Sequence, residues 1–299
     1  MRTARNGRPI DLLVGGAILS GLLLLALIGL FYTPYPPARQ DIALRLAPPS
    51  PSHLLGTDAL GRDTLSRIME GARNSLLVAI LAVAMGAAIG IAVGLLSGSS
   101  PLWIDEVLMR AVDFTMGFPI VLLAILIAAI LGKGMQNSLI AIGVANVPVF
   151  ARLVRGNLLS LREREFVTAA RASGAGTQRI LFVHLLPNLL SPLIVQGTVS
   201  LGAAILADAG LSYLGLGVQP PYASWGRMIY EARPFLFLKE GGWLLAFPGG
   251  AIALAILGFN LLGDGLRDRL DPRQAASLRR RPRTPRSRRS RRSDRGETR

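Results

Sequence analysis

The sequence of 299 residues contains no cysteine, two histidines and only two lysines. The absence of cysteine excludes structural disulfides and thiolate sites for metals or redox chemistry. His53 and His184 are too few for a histidine-based metal cluster. Lys133 and Lys239 both lie outside any G-x-x-x-x-G-K-[S/T] segment, so the chain lacks the phosphate-binding loop needed to hydrolyse ATP by itself. Since no convincing Ser/His/Asp set is present either, we predict a non-catalytic chain.

Charge is scarce as well. Charged residues make up 17% of the chain, against about a quarter in soluble domains, and the mean hydropathy is +0.45. Three stretches contain no charged residue at all: 12–38, 74–104 and 241–263. Uncharged apolar runs of about 18 residues or more are typical of membrane-spanning helices. The composition therefore indicates a multi-pass membrane protein.

The net charge of +15 is concentrated in the C-terminal tail, where residues 273–299 hold 12 arginines against Asp294 and Glu297. This Ser/Pro/Arg-rich composition cannot bury a core, and we predict that the tail is disordered. An arginine-rich tail attracts anionic lipid headgroups or RNA without specificity. We therefore expect contact with membrane lipid and no specific nucleic acid partner.

Six apolar runs predict six membrane-spanning helices, since each can cover the ~30 Å hydrocarbon layer at about 1.5 Å per residue. The first run follows an arginine-containing N-terminus. It is long for a signal-peptide core and has no obvious cleavage site, so an uncleaved span is favoured over a cleaved signal. The predicted spans are 12–32, 75–97, 111–131, 136–155, 189–212 and 243–264.

An even number of spans places both termini on one side, and the distribution of arginine favours the cytoplasmic side. Residues 152–185 hold six arginines against two glutamates, whereas five arginines against four acids in 33–74 argue the other way. The predicted organisation has four parts: a cytoplasmic N-terminus with the first helix (1–32), an extracytoplasmic polar segment (33–74), a core of five helices with a cytoplasmic loop at 160–187 (75–265), and a cytoplasmic arginine-rich tail (266–299).

Small, proline and aromatic residues in or near the spans suggest how they pack. Gly86, Gly90 and Gly94 fall at i, i+4 and i+8 on one helix face, which favours close helix pairing, although glycine is also common in membrane helices generally. Three prolines interrupt or bend spans, as a gate needs but also as in any membrane bundle: Pro119, Pro148 and Pro248. Four aromatic residues fit an interfacial belt better than a substrate cage: Tyr213, Tyr222, Trp225 and Trp243.

The loop between the fourth and fifth spans carries the most information. Phe166, Ala169, Ala170 and Ser173 share one helical face. Gly174 supplies a helix stop, and Thr177 is a candidate N-cap for a second short helix that reaches toward Pro187. We expect two short amphipathic helices outside the membrane, whose apolar face packs on the spans beneath or on another protein.

This loop resembles the coupling loop of ABC-importer permeases, which in that family fits a groove on the ATPase subunit. Thr168 stands where the family has an acidic residue. Either Glu165, three residues earlier on the same face, substitutes for that acid in part, or the acid is dispensable here. The resemblance therefore assigns ATPase coupling to eight positions: Glu165, Thr168, Ala169, Ala170, Gly174, Ile180, Leu186 and Pro187.

Three further segments, 53–76, 208–228 and 260–272, resemble the dipeptide and oligopeptide permeases of that family, so the resemblance runs from about residue 10 to Arg273. Asp208 stands where the family commonly has glutamate. The motif positions with a structural or gating role are Gly56, Thr57, Asp58, Gly61, Arg62, Asp63, Ser66, Arg67, Asp208, Gly210, Gly215 and Gly217.

The residues themselves leave the roles of these motifs open. Gly56, Gly61 and Asp58 suit tight turns. Asp208 and Asp113 lie near the ends of spans, so each is a functional candidate or a merely hydrated helix-end residue. The charged residues before the second span either pair across a cap or form an ordinary solvated cluster: Arg62, Arg67 and Arg73 with Asp58, Asp63 and Glu70.

The resemblance implies an all-α membrane protein with about six transmembrane helices and the type-I ABC importer permease fold. It implies a pore-forming subunit that translocates dipeptides or oligopeptides across a bacterial or archaeal cytoplasmic membrane, with nickel, glutathione or another small solute as alternative cargo. Its implied partners are a second homologous permease, two ABC ATPases that use ATP and Mg, and an extracytoplasmic solute-binding protein, while this chain binds no cofactor. A stand-alone secondary carrier is disfavoured because nearly all acidic residues lie in loops or at span ends.

Overall fold

A computed structural model describes residues 9–238 and 241–270, and these residues are mostly helical. The predicted N-terminal segment 1–8 and the tail from 271 onward lie outside the described residues. Two single 3₁₀ turns occur at Ile42–Leu44 and Arg233–Phe235. The α-helices are α1 (Pro9–Phe31), α2 (Thr64–Ser99), α3 (Leu102–Met116), α4 (Ile120–Leu131), α5 (Met135–Arg162), α6 (Glu165–Ala172), α7 (Thr177–Arg179), α8 (Leu186–Tyr213), α9 (Trp225–Ala232) and α10 (Gly241–Leu270).

Five of the described helical segments are long and apolar enough to cross a membrane, and a sixth crossing is made of two helices. The sequence predicted one continuous span at 111–131, but α3 and α4 meet there at a bend of 89°. Pro119 precedes α4, and proline disfavours the helical conformation of the residue before it. At 12 residues α4 reaches only about 18 Å, so this crossing is a broken span.

The second span begins earlier than its apolar run. Asp63 caps α2 by accepting a hydrogen bond from the backbone N–H of Ser66, and the helix starts at Thr64 instead of residue 75. The last span likewise continues beyond its apolar run, to Leu270. The polar residues before residue 75 in α2 and after residue 264 in α10 are therefore helical, because both helices extend past the apolar layer.

Close packing of α2 on α5 forms the centre of the bundle. A Cβ atom added at Gly86, Gly90 or Gly94 would lie 2.6 Å from a carbonyl oxygen of α5, those of Gly143, Val147 and Ala151 respectively. The three glycines therefore allow the two backbones to touch, as their spacing predicted. Because the contacts advance along both helices together, α2 and α5 run parallel.

The remaining contacts fix the direction of the other helices. Gly15 of α1 contacts Leu262, and Leu12 contacts Gly265, so α1 and α10 are antiparallel. Ser191 at the start of α8 donates a hydrogen bond to the carbonyl of Leu270 (3.4 Å). The start of α1 and the end of α10 therefore lie at the same end of the bundle as the 163–185 loop. At the opposite end lies a polar cap, which consists of residues 33–63 and 214–238.

Candidate functional site

The short helix α6 carries the first half of the predicted coupling loop. Val167 is fully buried and Ala170 partly buried, so these two side chains hold α6 against the bundle. Of the predicted apolar face, only Ala170 points inward, and Phe166 is 41% exposed. Val167 was missed because it is one of several apolar residues in the loop and nothing in the pattern marks it as the anchor. The side chains of α6 that stay exposed include Glu165, Phe166, Thr168 and Ala169.

Gly174 ends α6 as predicted, with a φ of +81°. Its N–H donates to the carbonyl of Arg171 (2.9 Å), and the N–H of Ala175 donates to that of Ala170 (3.0 Å). Glycine favours this left-handed conformation because it has no Cβ. No atom of the described residues lies within 4 Å of a Cβ built at Gly174, so a side chain there would project away from the bundle.

The second half of the loop differs from its prediction. Gly176, not Thr177, is the N-cap of α7, and Thr177 is the first helical residue. The chain then passes through a π-helical segment, Ile180–Leu185, directly into α8. Buried Ile180 and Leu185 draw this segment into the bundle, while Leu186 and Pro187 form the first turn of α8. The loop thus consists of one short helix, α6, followed by the start of a long span.

An ion pair braces the helices that lead into the loop. Arg155 of α5 donates from Nε and Nη2 to the two carboxylate oxygens of Asp105 on α3, both at 2.6 Å. Asp105 also accepts from the hydroxyl of Ser97 on α2. Arg162, at the end of α5, donates to the carbonyl of Gly98 (2.5 Å). These contacts fix the end of α5, and so the start of the loop, relative to α2 and α3.

In the polar cap, the motif residues before α2 form tight turns. Gly56 and Gly61 have φ values of +73° and +71°. The hydroxyl of Thr57 donates to the carbonyl of Leu44. Besides capping α2, Asp63 contacts His53 Nδ1 through Oδ1 (2.8 Å) and accepts from the hydroxyl of Ser66 (2.8 Å). This part of the motif therefore shapes the cap and its junction with α2.

Buried and partly buried charges join the two halves of the cap in an ion cluster of Asp58, Arg62, Arg67, Arg227 and Glu231. Arg62 Nε donates to Asp58 Oδ2 (2.7 Å), and Arg67 Nη1 donates to the same oxygen. Glu231 Oε2 accepts from Arg62 Nη2 (2.7 Å) and Arg67 Nη1 (2.8 Å), and its Oε1 accepts from Arg227 Nε (3.0 Å). The sequence indicated the pairing with Asp58 but not Glu231, which is 169 residues from Arg62.

The protonation of Glu231 follows from this setting. Burial opposes its charge, but the guanidinium groups of Arg67 and Arg62 outweigh the burial and lower the pKa of Glu231 below its usual value of 4.5. The carboxylate is therefore charged at neutral pH. The two halves of the cap are held together by pairs of opposite charges.

Asp208 of α8 lies where α8, α2 and the start of α9 come together. Asp208 is 1% exposed and lies beside Ser75 of α2, whose hydroxyl also accepts from the backbone N–H of Trp225 (3.4 Å). The belt prediction is wrong for Trp225, which is fully buried and donates from Nε1 to the carbonyl of Ile68 (3.2 Å). Gly210 lies within α8, Gly215 has a φ of +79°, and Gly217 packs against Ser212.

Comparison with known proteins agrees with this architecture. A family model described as "binding-protein-dependent transport system inner membrane component" matches residues 90–276. The dipeptide transport system permease protein DppC of Alkalihalophilus pseudofirmus is 46% identical over 87% of this chain and 85% of that protein. The di/tripeptide permease protein DppC of Pseudomonas aeruginosa is 45% identical over 86% of this chain and 87% of that protein.

Two further matches differ in cargo. The glutathione transport system permease protein GsiD of Salmonella typhimurium is 44% identical over 87% of this chain and 86% of that protein. A structure of the MetNI methionine ABC transporter in an inward-facing conformation superimposes with a TM-score of 0.57 at 19% identity, covering 67% of this chain and 94% of that one. At that identity the superposition supports the fold alone, which is that of type-I ABC importer permeases.

Proposed function

Because this chain belongs to the family of binding-protein-dependent transport system inner membrane components, we propose that it imports short peptides as one of two pore-forming subunits of an ABC importer. The chain is a multi-pass inner-membrane permease component with the type-I fold. The observation that carries the peptide assignment is its 45–46% identity to two dipeptide and di/tripeptide permeases over most of both chains.

The proposed partners are a second homologous permease, two ATPase subunits and an extracytoplasmic binding protein. A single chain of five or six spans exposes apolar side chains on several faces of the bundle, and a second permease is the partner that completes a pore. Phe166 and Ala169 are exposed on α6, which buried Val167 anchors to the bundle. They form a small surface that an ATPase subunit can bind. The ATPases, not this chain, use ATP and Mg.

In this mechanism the 163–187 loop transmits movement. Closure of the ATPases on ATP displaces α6. Because α7 continues into α8 with no loop between those two helices, the displacement reaches a membrane-spanning helix directly. The brace of Asp105 and Arg155 makes the end of α5 move with α2 and α3. The helices then alternate between inward-open and outward-open arrangements, and hydrolysis resets the cycle.

Glutathione is the second candidate cargo. The glutathione permease is 44% identical to this chain, so identity alone separates it little from the dipeptide permeases. Glutathione is itself a peptide, and the external binding protein selects among peptides before this subunit meets them. The cargo test below therefore includes glutathione as a competitor.

The test is uptake of a labelled dipeptide by cells that lack this chain and are complemented with wild type, Gly174→Asp or Gly174→Asn. Asparagine and aspartate both accept a positive φ, so the asparagine variant reports backbone strain and added size without charge. We expect wild type to restore uptake and Gly174→Asp to lower it about tenfold or more at equal abundance, since a tight docking surface excludes a charged side chain. Gly174→Asn should lose less.

Two outcomes contradict separate parts of the proposal. Normal uptake by an abundant Gly174→Asp protein would contradict the proposal that the loop couples the ATPases to transport. Failure of wild type to restore dipeptide uptake, with glutathione uptake restored instead, replaces the cargo and leaves the permease assignment intact.

A further inference from the structure

The polar cap end of the bundle contains a cavity of about 570 Å³, which we name the mouth cavity. Its walls are the first turns of α2, the connection between α4 and α5 with the first turn of α5, and residues 218–222. Its volume lies within the range of about 300–1,000 Å³ that is usual for small-ligand sites. Because the bundle exposes this cavity at the end opposite the coupling loop, a solute delivered at the cap reaches it first.

The charges that line the mouth cavity are of both signs. Glu70 and Arg73 lie one helical turn apart on α2, and Lys133 lies in the α4–α5 connection. Lys133 is the only lysine among the described residues, and it is placed where the cavity wall otherwise consists of uncharged residues of α4 and α5. The cavity thus presents one carboxylate and two cations to its contents.

Amide side chains line the space between these charges, and several are held in place. Asn74 Nδ2 donates to the carbonyl of Ala223 (2.7 Å). Gln219 Nε2 donates to the carbonyls of Gly217 (2.7 Å) and Gly215 (3.1 Å). The carboxylate of Glu70 lies beside the backbone of Ala223. Asn74 therefore ties Ala223 to α2, and Gln219 fixes the turn at residues 215–219 that forms this part of the wall.

This pattern of charge matches a free peptide. At neutral pH a short peptide carries an α-ammonium group at one end and an α-carboxylate at the other, with amide groups between them. Resting on the proposed function, we propose that the mouth cavity binds the zwitterionic backbone of a short peptide, its ammonium group on Glu70 and its carboxylate on Arg73 and Lys133. Leu77 and the ring of Tyr222 complete the wall.

Such a site gives the subunit a preference for free termini that is separate from the selection made by the binding protein. It also has to be weak, because a transported solute must leave its site as readily as it enters. We therefore expect half-saturation at millimolar peptide, and loss of either terminal charge should weaken binding about tenfold, as for a single charge-assisted hydrogen bond.

Because the chain contains no cysteine, a single Gln136→Cys variant reports occupancy directly. Gln136 lines the mouth cavity and is exposed. In the purified complex without its binding protein, the rate of alkylation of this cysteine is measured by mass spectrometry in the presence of Ala-Ala, N-acetyl-Ala-Ala or Ala-Ala amide. Millimolar Ala-Ala should slow alkylation, and each blocked peptide should need about a tenfold higher concentration.

Charge-removing variants in this background assign the two ends. Glu70→Gln should abolish the difference between Ala-Ala and its N-acetyl form, and the double variant Arg73→Gln/Lys133→Gln should abolish the difference from the amide. Arg39→Gln removes an exposed cation of the cap outside the cavity and should keep both differences.

Equal protection by all three peptides, or none by Ala-Ala at its solubility limit, overturns the site. If wild-type cells nevertheless take up the dipeptide, the proposed function stands and only the proposal that the mouth cavity binds peptide is rejected. If wild-type cells take up no peptide, the proposed function is itself rejected.

Discussion

Glu231 is the residue on which the two halves of the polar cap depend, because it receives hydrogen bonds from Arg62, Arg67 and Arg227. Removing its charge leaves buried guanidinium groups with Asp58 as their remaining anion. Breaking a buried ion pair in this way costs about 3–5 kcal/mol. We expect Glu231→Gln to lower the midpoint of thermal unfolding of the purified protein substantially.

A matched control is Glu106→Gln. Glu106 pairs with Arg110 four residues later, but both side chains are largely exposed, at 63% and 77%. An exposed pair of this type contributes about 0.3–0.5 kcal/mol. If both variants unfold at the wild-type temperature, the ion cluster does not stabilise the cap.

The same residue predicts a dependence on pH. Since the pKa of Glu231 is lower in the folded chain than in the unfolded one, protonation favours unfolding, and the stabilisation is fully present above pH 4.5. Thermal unfolding of wild type should therefore shift to lower temperature as the pH falls below about 4.5. Glu231→Gln should lack this component of the shift, and identical pH profiles for the two proteins would argue against the assignment.

Among the helices, the parallel contact of α2 and α5 places the strictest demand on side-chain size. A Cβ at Gly90 would lie 2.6 Å from the carbonyl oxygen of Val147 and 2.7 Å from Cβ of Phe150. Gly90→Val therefore forces the two helices apart, at a cost of about 1–3 kcal/mol or more. Yield and thermal stability in detergent should both fall.

Gly16→Val provides the comparison, because no described residue outside the adjoining part of α1 has an atom within 4 Å of a Cβ at Gly16. It introduces the same side chain into a membrane helix without a collision. Comparable losses for both variants would mean that valine itself, and not the α2–α5 contact, is responsible.

Prediction from sequence succeeded where a local pattern determines the structure. Apolar runs located the spans, and glycine spacing located the α2–α5 face. It failed where the outcome depends on contacts distant in the chain. The sequence alone does not distinguish Pro119 from Pro148. Pro148 lies inside the continuous helix α5, whereas Pro119 lies at the 89° bend between α3 and α4. Nothing local to Trp225 shows that α2 covers it.

The same reasoning explains the candidate sites. Gly174 was predictable because a helix stop is a local backbone property. Glu231 and the mouth cavity were not predictable. The ion cluster joins residues 58–67 to α9, and the cavity joins α2, the α4–α5 connection and residues 218–222. Charge pairs four residues apart are visible in a sequence, and those 169 residues apart are not.

At the scale of the whole molecule, the structure places the start of α1, the end of α10 and the 163–185 loop at one end, with the polar cap at the other. The arginine-rich loop favours the cytoplasm for the first of these ends.

Single cysteines in this cysteine-free chain test the orientation. With a membrane-impermeant maleimide, Leu54→Cys in the cap should react in intact cells, whereas Ser173→Cys and Arg269→Cys should react only after permeabilisation. All three positions are exposed in this chain, and reaction after permeabilisation shows in the same experiment that no partner covers Ser173→Cys or Arg269→Cys. Reaction of Arg269→Cys but not Ser173→Cys in intact cells would mean that an odd number of crossings separates them, and α8 or α10 would then have to be placed differently.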